Sequence, residues 1–269
     1  MPRSASTWVR RALGVLVTVS LGLGTFVLYG ARVAHPVSAA EALRGFTERP
    51  SYAGRPGLDA ALDGVRPAAG VYRYATTGSA RVDLLGIERH YPSTTARVVR
   101  LGPGCQWEEQ VPLFDEHVET YSACAAAGDQ IETGYATRLT YFFVPDISDA
   151  GCAPGGSRTG HRLAPGSTQR FRCLDRARQV RTDGSITFLG ASTVHVDGRE
   201  QPCRQVRMLT VLRGRTSGAA LRELCTEAST GLVLRETRTV GLTVESAFVG
   251  VVRYVESAEF TLKSMTPRR

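Results

Sequence analysis

Six cysteines, Cys105, Cys124, Cys152, Cys173, Cys203 and Cys225, are the residues whose type and spacing carry the most chemistry in this chain. None forms the CxxC pairs used by zinc sites and thioredoxin-like redox centres, so the chemistry expected of them is oxidation to a disulfide framework. Joined in sequence order they close three loops of similar length, and a crosslink over about 20 residues is worth roughly 3 kcal/mol in the chain-entropy model. Spacing alone leaves about 15 connectivities open, and the sequential one is the expectation.

The other reactive side chains form no recognisable centre. His35, His90, His117, His161 and His195 are scattered, with neither an HExxH pair nor a spacing suited to one helix face. A GxSxG nucleophile motif, a phosphate-cradling loop and a dinucleotide glycine fingerprint are all missing, and GCAPGGSRTG lacks the lysine that phosphate loops carry. Asp146 and Asp149 do not have the calcium-loop spacing. Nothing in the sequence calls for a metal or a cofactor. Glu108, Glu109, Asp115, Glu116 and Glu119 form an acidic cluster that offers paired carboxylates for sugar hydrolysis, or simply solvated strand edges. Arg170, Arg172, Arg176, Arg178 and Arg181 crowd one short segment balanced only by Asp175, and outside a membrane such a run meets anionic headgroups or an acidic partner, or is a solvated face.

The elements that must hold these residues are mostly strands. Cys203 and Cys225 lie equally far from Gly214 within the turn-rich Gly214 to Gly218, so two strands folding back there bring the cysteines together. One arm places Val206, Met208 and Leu212 on a face that Arg204 interrupts, with Leu209 and Val211 on the other. After the turn at Thr230 and Gly231, Leu232 and Leu234 share a face with Val240, Leu242 and Val244, while Arg235, Thr237 and Thr239 point away. Cys105 and Cys124 bracket a second such hairpin around Phe114 and Asp115, with Trp107 set to cover the bridge. Further strands are expected over VYRYATT, ARVDLLGIE, TARVVRL, TRLTYFFVPD, SITFLGASTVHVDG, TVGLTVESAF, GVVRYVE and AEFTLK.

At the N-terminus, Arg3, Arg10 and Arg11 lead into Ala12 to Ala31, which carries no charge and as a helix rises about 30 Å, the thickness of a bilayer core. An uncleaved anchor is expected, with residues 1–11 cytoplasmic and the rest outside. The competing reading is a signal peptide cleaved in VSAAEA near Ala39. Residues 32–67, punctuated by Pro36, Pro50, Pro56 and Pro67, read as a stalk with two short helices: Ser38 and Glu41 have capping-box spacing, and Leu58, Leu62 and Val65 recur at helical intervals. The formal charge is +8, and removing the three arginines before the apolar segment leaves about +5, too modest to imply nucleic acid. Lys263 is the sole lysine, and this arginine-, alanine- and glycine-rich composition fits a GC-rich bacterial genome.

The fold class expected is mainly β, in antiparallel sheets after a transmembrane helix. Both halves run through turn-separated strands, a cysteine hairpin, a polar turn and a strand, so two tandem half-barrel-like modules are expected, at 68–145 and 168–265. The Gly-, Pro- and Ser-rich 146–167 is the linker between them.

Thr230, Gly231, Leu232, Leu234 and Arg235 match a TGLPLR-like phrase with Val233 in place of the proline. With the VHVDG strand and the strand after Cys203, they make the later half resemble the curved-sheet modules of the periplasmic lipoprotein carriers. Mycobacterial lipid-binding lipoproteins and the MucB/RseB sensor domain share such modules. The resemblance covers about 80 residues and implies an unclosed barrel around a helix or a lipid. GVYRYATTG, from Gly70 to Gly78, is similar to the start of actinobacterial secreted proteins, and carries no activity with it. Beyond residue 66 no long amphipathic helix is evident to fill a concave sheet, which leaves a ligand, the other module or a stalk helix to do so. The functional expectation is a non-enzymatic extracytoplasmic envelope protein binding an apolar or amphiphilic ligand such as lipid. The alternative is a structural or interaction module for another envelope protein.

Overall fold

The structure, a computed structural model, describes residues 34–48, 66–83, 87–126, 128–141, 144–161, 163–246 and 250–269. The expected tail and membrane anchor, the cleavable-signal alternative's apolar core and the second stalk helix lie outside these residues. Among the described residues no helix is long and apolar enough to cross a membrane. The first stalk helix is present as α1 (Ala39–Glu48), and its capping box forms as the sequence spells it. The Ser38 backbone N–H donates to Glu41 Oε2 at 2.7 Å, and the Glu41 N–H donates to Ser38 Oγ at 3.2 Å.

The strands are β1 (Gly70–Val82), β2 (Ile87–His90), β3 (Thr94–Leu101), β4 (Gln106–Phe114), β5 (His117–Ala126), β6 (Asp129–Tyr141), β7 (Val144–Ser157), β8 (Thr168–Asp175), β9 (Val180–Val196), β10 (Arg199–Arg213), β11 (Thr216–Glu227), β12 (Val233–Ser246) and β13 (Gly250–Leu262). Each pairs antiparallel with its chain neighbours in an up-and-down meander, except that β2 and β3 share one edge of β1. β3 takes Gly70 to Ala75 and β2 takes Ser79 to Val82. β13 then returns along the other edge of β1, from Tyr74↔Leu262 to Val82↔Tyr254, and a single barrel of 12 strands closes.

Closure corrects the two-module expectation. The sheet continues through 146–157, the first part of the expected linker: β7 pairs with β6 from Tyr141↔Val144 to Ile131↔Ser157, and with β8 at Cys152↔Cys173. The glycines that read as linker are packing glycines here. A Cβ on Gly155 would meet the Glu132 carbonyl oxygen at 2.1 Å, and one on Gly156 would meet Ile186 Cδ1 at 2.5 Å. The unclosed sheet implied by the lipoprotein-carrier resemblance is likewise replaced by a closed one. Only 158–167 is a connection, and it folds under the barrel. Arg204 holds it there by donating to the Thr159 and Gly160 carbonyls at 3.2 and 2.6 Å, while its guanidinium stacks on Phe188.

The three disulfides pair as expected, Cys105–Cys124, Cys152–Cys173 and Cys203–Cys225. The interrupted alternation of the Cys203 arm has a local cause. A bulge between Gln205 and Val206 shifts the phase, so Cys203 on one side of it and Val206 and Met208 on the other all face inward. Trp107 is buried in the core cluster that contains Cys203 and Cys225. Outside the barrel, α1 lays Ala42 and Phe46 over Val71, Ala96 and Val98 of β1 and β3. Arg100 secures the helix by donating to the Gly45 carbonyl at 2.8 Å and stacking on Phe46. The outer wall elsewhere carries exposed cross-strand ion pairs, Arg207 with Glu223 and Arg235 with Glu259, alongside the exposed Leu209, Leu221 and Val251.

Candidate functional site

A closed sheet sends alternate residues of every strand into one lumen, and here many of them are charged. Four arginines, Arg97, Arg158, Arg222 and Arg238, and five glutamates, Glu109, Glu119, Glu132, Glu236 and Glu256, are buried. Their ion pairs fall into two groups, joined through Tyr121, whose ring lies against Arg222 and whose hydroxyl donates to Glu119. Arg97 donates to Glu109 at 3.0 Å and to Glu236 at 2.7 Å, and Arg222 donates to the other oxygen of Glu236 at 2.8 Å. Arg158, the one member from the 158–167 connection, reaches up to Glu109 and lies 4.0 Å from Glu132. Arg238 bridges Glu119, at 2.7 Å, and Glu256. The Tyr121 and Tyr254 hydroxyls donate to Glu119 and Glu256 at 2.9 and 2.7 Å, and His117 Nε2 lies 3.2 Å from Glu119.

Aromatic faces carry the arginines where carboxylates do not. Arg97 sits 4.5 Å from the Tyr74 ring centroid, Arg222 4.3 Å from Tyr121, Arg158 5.0 Å from Trp107 and Arg238 4.9 Å from Phe260. Guanidinium groups tolerate this because they are planar and weakly hydrated.

Burial would raise every one of these carboxyls, and pairing decides which stay ionised. At Glu236 the burial penalty is outweighed by Arg222 and Arg97, at Glu119 by Arg238 and His117, and at Glu109 by Arg158 and Arg97, so all three lie below the ordinary 4.5. Glu132 goes the other way. Burial raises it above 4.5, and the charges of Arg158 and Arg222 do not compensate. It is the one carboxyl of these four whose burial is not offset by neighbouring arginines.

Aromatic and aliphatic side chains fill the lumen beside β1, β3 and β4, through Tyr72, Tyr74, Tyr91, Leu113 and Phe114. On the β5 to β13 side it opens into a cavity of about 170 Å³ at the end bearing the β8–β9 and β10–β11 turns. Its upper wall sets Leu139, Val180, Leu212, Val240, Leu242 and Val244 among Thr137, Ser148, Thr182, Thr210 and Thr216, and its floor is the network, with Glu119, Glu132, Arg222, Arg238 and Glu256. The result is a mostly apolar cup over a charged base.

The structure divides the residues singled out from sequence. Within the acidic cluster, Glu109 and Glu119 are inside and paired to arginines, while Glu108 and Asp115 are exposed outside. In the arginine segment, Arg170, Arg172, Arg176 and Arg181 are exposed and Arg178 is half-buried, with Arg172 and Arg181 sharing Asp183. Arg176 and Arg178 lie in the turn after β8, at the mouth of the cup, while Arg170 and Arg172 stand on the outer face of β8. Cys173 lines the cavity, and the other disulfide cysteines do not. Sequence reasoning passed over Glu236 and Arg238, although both fall in phase with Leu234 and Val240 on the inward face of β12.

Replacing Glu236 with Gln leaves Arg97 and Arg222 buried beside a neutral group, and should cost about 3–5 kcal/mol in denaturant unfolding at pH 7. Glu132→Gln replaces a poorly held carboxylate by a neutral isostere, and should leave the midpoint unchanged or raise it. The depressed carboxyls contribute stability that is fully present above the ordinary value of 4.5 and lost as pH falls through their lower folded values. Glu132 has the opposite sign, its contribution being present below 4.5 and lost as pH rises through its raised value. A Glu236→Gln chain as stable as Glu132→Gln across this range would contradict the assignment.

No protein-family model matches the chain, and no curated protein matches its sequence. Among solved structures, the hypothetical lipoprotein YmcC from Escherichia coli aligns over 87% of this chain and 99% of its own, with 12% identity and a TM-score of 0.37. A protein described as a lipoprotein, from Parabacteroides distasonis, aligns over 75% and 97%, with 9% identity and a TM-score of 0.33. Scores at this level establish neither a shared fold nor a shared function.

Proposed function

We propose that this is a non-enzymatic envelope protein, working outside the cytoplasm, whose barrel takes an apolar or amphiphilic ligand such as a lipid through its open end. The observation that carries this reading is the aliphatic wall of the cup, which leaves Leu212, Val240, Leu242 and Val244 around an open space instead of packed on one another. The volume sets the scale. About 170 Å³ is close to the 150 Å³ or so of an apolar cavity that holds benzene, so the cup accepts one chain or ring and the remainder of a larger ligand stays in the mouth. Three disulfides with no free cysteine suit an oxidising compartment, which supports a barrel outside the cytoplasm.

The mouth supports a membrane-facing orientation. Arg176 and Arg178 occupy the turn beside the opening, and the exposed Leu174 and Ile147 lie on the neighbouring β8 and β7. Basic and apolar groups together suit an anionic headgroup layer. Mass spectrometry of the protein purified from its own membrane should find an apolar or amphiphilic molecule bound one to a chain. That molecule should be lost from a Leu212→Asp, Leu242→Asp chain, and equal occupancy in the two would oppose the reading. A chain beginning at Ala34 should pellet with phosphatidylglycerol vesicles, several-fold less so as the Arg176→Ser, Arg178→Ser variant, and neither form should pellet with phosphatidylcholine. Unchanged pelleting would exclude the arginine contact.

A further inference from the structure

The segment that leads into the barrel is fastened to the rim of the cup. The His35 N–H donates to Asp115 Oδ1 at 3.1 Å, and the Asp115 N–H donates to the His35 carbonyl at 3.0 Å. The β3–β4 ladder runs from Val98↔Gln110 to Leu101↔Trp107, short of the Phe114 end of β4, and that end forms an antiparallel bridge with Pro36 instead. Ala34 packs against the main core cluster, Val37 against the cluster under α1, and Ser38 caps that helix. Residues 34–38 therefore belong to the folded barrel. Successive turns of a meander alternate between its two ends, which puts the β4–β5 turn that holds His35 at the same end as the β8–β9 and β10–β11 turns of the mouth.

The same end carries exposed apolar side chains. Of the five large ones among the described residues, Ile147, Leu174 and Val251 stand within four residues of a mouth-end turn, on β7, β8 and β13. Around them Arg176, Arg213 and Arg215 are exposed in the turns, while the rim carboxylates Asp83, Glu116 and Asp183 lie beside Arg81, Arg89 and Arg181. At the opposite end the described turns run through Gly102 to Gly104, Asp197 and Gly198, and Ser229 to Gly231, with no large exposed apolar side chain among them.

We infer that the working chain keeps residues 34–38 and is mounted by them mouth-first on the phospholipid bilayer that holds its own apolar segment, with the rim at Ile147, Leu174 and Val251 against the lipid. This rests on the envelope reading and adds the segment that fixes the barrel and the surface that docks. The uncharged stretch ends at Ala31, three residues before Ala34, a span of at most about 11 Å. A free stalk would let any face of the barrel approach the membrane, whereas a chain fastened at His35 presents the mouth. Apolar side chains set among arginines suit the interfacial layer, where the first leave water and the second meet phosphate. Cleavage near Ala39 would remove both the Pro36 bridge and the Ser38 cap, so the same contacts argue for a retained N-terminus.

The test places tryptophan at either end of the barrel in the full chain, held in nanodiscs of phosphatidylglycerol and phosphatidylcholine with brominated acyl chains. With the unaltered chain's emission subtracted, Val251→Trp at the mouth should be quenched at least three-fold more than Glu200→Trp at the opposite end. Intact-mass measurement of the protein purified from its own membrane should find a chain that begins ahead of Ala34. Equal quenching at the two ends, or stronger quenching at Glu200→Trp, would overturn the mount, and so would a mature chain beginning at Ala39 or beyond. Quenching confined to the mouth in a protein that carries no ligand would uphold the mount and overturn the ligand reading, and equal quenching in a protein with bound ligand would do the reverse. If Val251→Trp does not fold, Arg215→Trp in the β10–β11 turn makes the same comparison.

Discussion

Everything in this barrel depends on pairing the charges it encloses. Closing a sheet of 12 strands creates an interior that must be filled or hydrated, and this sequence fills much of it with Arg97, Arg158, Arg222 and Arg238 and their glutamate partners. Taking an isolated charge of either sign out of water costs several kcal/mol, so no member of the network is tolerable alone. Glu236 shows how the cost is met: it accepts from Arg97 of β3 and Arg222 of β11, tying strands far apart in the chain across the lumen. A hydrophobic lumen would be held by area alone and would tolerate sliding of one wall over another. A lumen of ion pairs has one register in which Glu109, Glu119, Glu236 and Glu256 meet their arginines.

The rest of the architecture follows from protecting that network at one end and leaving it accessible at the other. The 158–167 connection contributes Arg158 and is itself held by Arg204, so a segment outside the strands is part of the charge network. Near the opposite end the aliphatic residues of β10 and β12 rise above the floor without meeting side chains that fill the space between them, and the cup results. The disulfides work on a different scale. Each links neighbouring strands of the sheet, so they reinforce local ladders, whereas Arg97–Glu236 and Arg238–Glu119 join strands that are not neighbours.

How much of this was legible in the sequence depended on range. The hairpin about Gly214, the sequential disulfides, the Ser38 capping box and most strands are local events written in residues close together, and they formed as the patterns implied. Closure was not legible, because the pairing of β1 with β13 joins residues such as Tyr74 and Leu262 that no periodicity connects. β7 was hidden for a related reason. Its glycines and prolines argue for a loop when read alone, and only the ladder with β6 and the close approach of Gly155 to β6 turn them into strand. The site itself was half visible. The inward phase of Leu234, Val240 and Leu242 was evident, but Glu236 and Arg238 stand in the same phase, and charged residues at inward positions were the overlooked sign of a polar lumen. The acidic cluster was visible as composition, and only the strand register separates the buried Glu109 and Glu119 from the exposed Glu108.

The central claim is that the lumen is a paired network in which one carboxyl, Glu132, is raised by burial that Arg158 and Arg222 do not offset. Carbon-13 NMR of the protein labelled at the glutamate carboxyl carbons, followed from neutral to acid pH, measures this directly. The account predicts that Glu132 titrates above the ordinary value of 4.5, while Glu109, Glu119 and Glu236 stay ionised well below it until the fold is lost. Titration of all four together near 4.5, as for carboxyls in water, would contradict it.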